Sequence, residues 1–88
     1  MKTVEFIENI VDPDTDLITE IVYEARGFAS ESDADDDRTA TLNRLNDSDF
    51  EIPEGYEIDD ITCDAVHPAL YPLIYWLYAI RILLKYIH

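Results

Sequence analysis

Two segments near the start of the chain alternate apolar and polar residues with the two-residue period of a β-strand. They are residues 3–11 and residues 17–29, and both are rich in β-branched and aromatic side chains. The turn-forming sequence DPDTD separates them, so the pattern predicts a β-hairpin. The alternative is a helix from Thr15 to Arg26 that Gly27 closes. The apolar positions that share a face are Val4, Phe6 and Ile10 in the first strand and Leu17, Ile21, Tyr23 and Ala25 in the second.

The next segment carries the signals of a helix over about residues 33–46. Ser32 is a candidate N-cap, and an acidic residue follows it three positions later, as in a capping box. The dipole of the helix favours negative charge in its first turn. Four acids fall there, namely Asp33, Asp35, Asp36 and Asp37. Leu42 and Leu45 supply a narrow apolar edge for packing.

Residues 50–66 contain a strand that begins after a Pro-Glu-Gly turn. Tyr56 and Ile58 alternate on one face, and the apolar residues after them alternate in the opposite phase. The phase changes at Asp59 and Asp60, which predicts a β-bulge at that point. With the bulge, the apolar side chains that point inwards are Tyr56, Ile58, Ile61, Cys63 and Ala65.

Residues 69–87 have apolar positions at the alternating three- and four-residue spacing of a helix. These positions are Leu70, Leu73, Leu77, Ile80, Leu84 and Ile87. Pro72 is compatible with a helix only in its first turn, where the N–H groups need no partner. The chain therefore predicts an α+β fold of order ββαβα in one domain, residues 1–88, with a small antiparallel sheet packed against a long C-terminal helix. A mainly α bundle is the alternative if the first two segments are helices.

The charge of the chain is extreme for its length. Six basic residues stand against 20 acidic ones, which gives a net charge of −14, and every acid precedes residue 65. Such a surface repels phosphate, so we expect no direct binding of nucleic acid. Repulsion among the carboxylates weakens the compact state, and a basic protein, bound cations or a salty solvent would compensate for it.

The residue types that carry catalysis or bind metals do not occur in usable patterns. The acidic run from Asp12 has Leu17 and Tyr23 where a calcium loop needs Gly and Glu. Cys63 and His67 are only two of the four ligands of a zinc site, and no glycine-rich phosphate loop exists. We therefore expect a protein without enzymatic activity, cofactor or metal.

Localisation is indicated by the cysteine content and by the charges near both ends of the chain. One cysteine and an acid-interrupted N-terminus predict a reducing, intracellular setting. Arg81 and Lys85 interrupt the last apolar segment and argue against a membrane span.

The remaining hypothesis is a surface of carboxylates that meets a basic protein. Rows of carboxylates on a strand or helix can occupy the cationic groove of a nucleic-acid-binding protein. The runs ESDADDD, NDSDFE and EGYEIDD supply three such rows. The predicted contacts are Asp33, Asp35, Asp36, Asp37, Asp47, Asp49, Glu51, Glu57, Asp59 and Asp60.

In size, charge and these acidic runs, the chain resembles the small phage-encoded inhibitors that mimic nucleic acid, such as anti-CRISPR and anti-restriction proteins. The resemblance implies an inhibitor of a host defence or nucleic-acid-processing protein, acting in the cytoplasm of a host cell.

Two other interpretations remain open at this stage. In a halophilic domain, the acids only hold water and cations at the surface. In an assembly subunit or homodimer, the C-terminal helix mediates oligomerisation through an apolar surface made by Tyr75, Trp76, Leu83 and Tyr86.

Overall fold

The computed structural model describes residues 3–47, 51–70 and 75–87, which form a sheet with one helix on it. The elements are β1 (Val4–Val11), β2 (Ile18–Phe28), α1 (Glu31–Asn46), β3 (Tyr56–Cys63), β4 (His67–Ala69) and β5 (Tyr75–Tyr86). All strand pairs are antiparallel, and the order across the sheet is β1-β2-β5-β3. The short strand β4 pairs with the first residues of β5.

The hairpin of β1 and β2 confirms the prediction from the alternating pattern. The turn is stabilised by the Asp12 carboxylate, whose Oδ1 accepts a hydrogen bond of 2.9 Å from the backbone N–H of Asp14. The helix alternative for residues 15–26 is wrong. Gly27 has a φ of 98° and lies in β2, where the pairing with β5 shifts register between Arg26 and Phe28.

The long C-terminal helix is wrong, and so are the fold built on it and the alternative of an α bundle. Most of that segment is β5, which lies in the sheet between β2 and β3, and the first residue of the segment, Ala69, ends β4. Tyr78, Ile80 and Ile82 alternate along β5 on the face under α1, and all three are 0% exposed. The other face of β5 also carries apolar residues, since Leu77, Ala79 and Leu83 lie there and are half-buried. A continuous apolar run results, which also satisfies helical spacing. Pro72 lies outside the described residues.

Strand β3 confirms the predicted bulge. Its register against β5 shifts between Ile58 and Asp60, so Asp59 is the extra residue. Because of that shift, residues before and after the bulge share the face under α1. The pairs on this face are Tyr56 with Tyr86, Ile58 with Leu84, Ile61 with Ile82 and Cys63 with Ile80. Ala65 follows the strand and is exposed, contrary to prediction.

Helix α1 confirms the predicted helix, but it begins two residues earlier. Ser30 has an extended backbone, with φ −142° and ψ 159°, and its Oγ accepts a 3.1 Å hydrogen bond from the N–H of Asp33. Ser32 therefore lies inside the first turn and is not the N-cap. Ala34, Thr41 and Leu45 form the buried side of the helix. They lie over a core made chiefly by β2 and β5, with the buried residues Ile21, Tyr23, Ala25, Phe28, Tyr78, Ile80 and Ile82.

Two buried tyrosines connect the helix and β1 to this core. The hydroxyl of Tyr78 donates a 2.5 Å hydrogen bond to Oδ2 of Asp37 and lies 3.0 Å from Oγ1 of Thr41. The hydroxyl of Tyr23 donates to Oε1 of Glu5 at 2.7 Å, and the two tyrosine rings lie 6.1 Å apart. Burial is the main cause that raises the pKa of both tyrosines, and the bonds to the carboxylates add to it. The helix is thus held by a polar contact as well as by apolar packing.

Replacing Tyr78 by Phe keeps the ring and removes the hydroxyl that Asp37 and Thr41 use. We expect the free energy of unfolding to fall by about 1–3 kcal/mol, because the buried Thr41 hydroxyl loses its partner. Urea unfolding measures the loss. Tyr75→Phe is the matched control, since the Tyr75 hydroxyl bonds none of the described residues, and its effect should stay within about 0.5 kcal/mol. Equal losses in the two variants would contradict this role.

The raised tyrosine pKa values predict a loss of stability in alkali. An unfolded tyrosine ionises at about pH 10, whereas native Tyr78 and Tyr23 keep their protons to higher pH. The native state then binds more protons than the unfolded state, so stability is full below about pH 10 and falls as the pH rises above it. Urea unfolding at about pH 8 and about pH 11 measures the decrease, which should be smaller in Tyr78→Phe than in the wild type. An identical decrease in both proteins would refute the assignment.

Candidate protein-binding surface

The face of the sheet opposite α1, here called the open face, carries ion pairs. Lys85 lies directly opposite Glu57 in the register of β5 and β3, with 3.9 Å between Nζ and Oε1. Arg81 lies 3.7 Å from Glu20, and Arg26 pairs with Glu24 on its own strand. Three of the six basic residues of the chain are therefore paired with carboxylates on this face. The basic residues of the open face are thus already paired, and its other carboxylates among the described residues are Glu8 and Asp60, which lie opposite Val22 and Leu83.

The side of α1 that faces β3 has a different balance of acidic and basic residues. Arg38 donates from Nη1 to the backbone oxygen of Asp64 at 3.4 Å, and the same nitrogen lies 3.9 Å from Sγ of Cys63. Its Nη2 donates to Oδ1 of Asp35 at 2.8 Å, and this bond raises the pKa of Arg38. Arg38 thus joins the first half of the helix to the end of β3.

Exposed carboxylates lie along both of the elements that this junction connects. Glu31 precedes Asp35 by one helical turn and shares its side of α1, while Asp36 points further from the sheet. Asp59 is the extra residue of the β3 bulge, Asp60 lies opposite Leu83 on the open face, and Asp64 follows the strand. We call this group the acidic edge: Glu31, Asp35, Asp36, Asp59, Asp60 and Asp64. Within the described residues, only Asp35 of this group forms an ion pair.

The other predicted contact residues lie elsewhere. Asp33 is exposed on the opposite flank of α1, and Asp47 ends the helix. Asp37 is half-buried and accepts the hydrogen bond from Tyr78. Glu57 pairs with Lys85 on the open face, and Glu51 lies exposed between α1 and β3. Asp49 is outside the described residues. The predicted rows therefore do not form one surface, although parts of two of them belong to the acidic edge.

The predicted apolar interface is divided between the two faces of the sheet. Because side chains alternate along β5, Tyr75 and Leu83 lie on the open face, and Trp76 and Tyr86 lie on the helix side. Trp76 packs against the core, and the Tyr86 ring lies 5.3 Å from that of Tyr56. The interpretation that a C-terminal helix presents these four residues is wrong, because that segment is a strand.

Sequence reasoning did not include Glu31, Arg38 and Asp64 in the site. One signal was available, since Glu31 and Asp35 precede Arg38 by seven and three residues, which places all three on one side of a helix. The contact from Arg38 to Asp64 joins residues 26 positions apart and has no local signature.

Among residues 3–47, 51–70 and 75–87, no three acidic, histidine or cysteine side chains are grouped in a way that could hold a metal ion. The one helix in this part of the chain is too short and too polar to cross a membrane. Comparisons with protein-family models, with curated proteins and with solved structures found no match to this chain.

The hydrogen bonds of Arg38 predict that replacing it lowers the stability of the fold more than replacing Arg44, the other arginine of the helix. Arg38→Met removes the link between α1 and the end of β3, and we expect the free energy of unfolding to fall by about 1 kcal/mol. Arg44→Met removes the same charge from the exposed last turn and should cost no more than about 0.5 kcal/mol. Urea unfolding of both variants provides the comparison, and an equal loss would show that the link does not stabilise the fold.

Proposed function

We propose that this chain is a non-enzymatic binding protein whose acidic edge occupies a cationic groove of a nucleic-acid-binding protein. The observation that supports it is the separation of charge. The basic residues of the open face are paired on that face, whereas the six carboxylates of the acidic edge have one ion pair among the described residues, that of Asp35 with Arg38. A cationic partner would relieve the repulsion among these carboxylates.

The dimensions of the acidic edge suit mimicry of a phosphate backbone. Asp59 and Asp64 are five residues apart, which corresponds to roughly 17 Å along an extended chain. One strand of a duplex carries a phosphate about every 3.4 Å along the helix axis, so this distance spans about five phosphates. Glu31, Asp35 and Asp36 add a second row on the neighbouring helix.

The carboxylates of the acidic edge are also held in place before a partner arrives. Glu31, Asp35 and Asp36 lie on a helix that is capped by Ser30 and fixed to β5 through Tyr78. Asp59 and Asp60 belong to a strand paired with β5. A rigid set of charges loses less conformational entropy on binding than a flexible loop does. Binding through such charges is fast and weakens as salt is added.

The chemistry of the partner follows from this surface. A groove lined with Lys and Arg is the common feature of proteins that track a nucleic-acid backbone. Occupying that groove would exclude the nucleic acid, so the chain would act as a competitive inhibitor. We propose a host defence or nucleic-acid-processing protein as the target class, and the host-cell cytoplasm as the place of action.

Reversing charge on the acidic edge tests the proposal. The variant Glu31→Lys/Asp36→Lys/Asp59→Lys changes exposed residues that form no ion pair with the described residues. The immobilised wild type should retain nucleic-acid-binding proteins from a bacterial lysate at about 0.1 M salt but not at about 1 M. Added duplex DNA should release them, and the variant should bind a retained protein at least about 10-fold more weakly.

The control Asp14→Lys/Asp47→Lys/Glu54→Lys makes the same change in charge at exposed turn and loop positions away from the acidic edge. It should keep most of the affinity. Unchanged binding by the acidic-edge variant, or failure of DNA to compete, would show that the acidic edge is not the contact.

A further inference from the structure

The two outer edges of the sheet are built differently. On one side, β3 and β4 lie along the same edge of β5, and this edge is broken between Cys63 and His67. It carries a bulge with Asp59 and Asp60, and Pro68 lies in β4. Bulges, charges and proline are the features by which proteins keep an edge strand from pairing with another chain.

The opposite edge, β1, is regular, and its only charged residues are Glu5 and Glu8. From Val4 to Ile10 it pairs with β2 in one unbroken register, and it contains neither proline nor lysine. The irregularity that follows lies on β2, because Ile10 pairs with Glu20 and Val11 with Ile18. A regular edge strand of this kind presents a row of backbone donors and acceptors to any strand that approaches.

Strand β1 also exposes apolar side chains on both of its faces. Val4 is 43% exposed, Phe6 48%, Ile7 61% and Val11 45%. These are four of the seven large apolar residues that are exposed in the described part of the chain. Helix α1 packs on β2 and β5, so it does not cover them. The β1 edge thus combines free backbone groups with uncovered apolar surface.

We propose that β1 pairs antiparallel with β1 of a second copy of this chain. The edge geometry restricts how two copies can pair. Only alternate residues of β1 direct their N–H and C=O groups outwards, and these have the same parity in both copies. Each residue of one copy therefore pairs with a residue of the other copy whose number differs from its own by an even number. Side chains that lie opposite each other are then on the same face. As a result, the helices of both copies lie on the same side of the joint sheet.

Charge selects one register among those allowed. If Ile7 pairs with Ile7 of the second copy, the whole regular stretch from Val4 to Ile10 is aligned, and no two carboxylates are directly opposite. If Glu8 instead pairs with Glu8 of the second copy, two like charges lie directly opposite each other, which is destabilising. If Phe6 pairs with Phe6, only residues 4–8 of the strand are aligned. The centre at Ile7 is thus the favoured register.

This register brings complementary groups together on each face. Glu5, held by the Tyr23 hydroxyl, lies opposite Asn9 of the second copy, whose amide can donate to it. Glu8 of the second copy lies opposite Phe6. The Arg26 guanidinium is 4.7 Å from the centre of the Phe6 ring, so it stands beside the incoming carboxylate. Val4 lies opposite Ile10, and each of these contacts occurs twice because of the two-fold symmetry.

The high net charge opposes self-association but does not prevent it at this edge. The acidic edge lies on the far side of the sheet, beyond β2 and β5. Three intervening strand spacings place β3 roughly 14 Å from β1. Salt screens the long-range repulsion between two chains of charge −14, so added salt should strengthen the dimer. Added salt should have the opposite effect on binding at the acidic edge, which it should weaken. The dimer proposal does not depend on the proposed function.

Sedimentation equilibrium of the full chain tests the dimer. The wild type should show the mass of two chains, with a dissociation constant that falls by at least about 3-fold between about 0.1 M and about 1 M salt. Ile7→Lys places two lysines opposite each other at the centre and should weaken the dimer at least about 10-fold. Thr62→Lys adds the same charge to the outer strand β3 and should leave it unchanged.

Cysteine cross-linking tests the register separately. In a Cys63→Ser background, Ile7→Cys brings two sulphur-bearing residues directly opposite each other, with Cα atoms about 4.5–5.5 Å apart, a distance that a disulfide spans. Asn9→Cys should not cross-link, because residue 9 lies opposite Glu5. Urea unfolding checks that Ile7→Lys remains folded. A wild type that stays monomeric at all salt concentrations would overturn the proposal. In that case β1 would be available to pair with a strand of a different protein. Cross-linking of Asn9→Cys but not Ile7→Cys would overturn it as well.

Discussion

The structure depends on the burial of β5 in the middle of the sheet. Both edges of this strand are hydrogen-bonded, to β2 on one side and to β3 and β4 on the other, and α1 covers one face. Ile80 and Ile82 supply apolar contact there, while Tyr78 adds hydrogen bonds to Asp37 and Thr41. In a chain of this size the core is small, so a single strand that contacts nearly every other element determines how they are arranged.

The local features of the fold were predictable from sequence, and the identity of the central strand was not. Alternation in β1 and β2 and the phase change at Asp59 are signals carried by a few adjacent residues. In β5, the half-buried Leu77 and Leu83 of the open face are as apolar as the buried residues of the other face, so the alternation with a period of two disappears. The acidic rows were also visible in sequence. Their grouping was not, because Arg38 reaches Asp64 only in the folded chain.

The two edges of the sheet differ in the interactions through which each would bind a partner. At the acidic edge, attraction acts over a Debye length and needs no complementary shape at first contact. At β1, short-range hydrogen bonds and apolar contacts require a strand in the correct register. Since β2 and β5 separate these regions, a molecule can engage one partner at each edge without overlap. The open face between them carries paired charges.

The position of β5 after all its neighbours in the chain has a consequence for biosynthesis. A ribosome releases β1, β2, α1 and β3 before the strand that joins them. Until β5 emerges, β2 has only β1 as a neighbouring strand, β3 has no strand to pair with, and the apolar side chains around Ile21 and Ile61 cannot be buried against β5. All 20 carboxylates of the chain have been synthesised by then. Their mutual repulsion opposes aggregation of the nascent chain during this interval, when it has no folded structure to protect it.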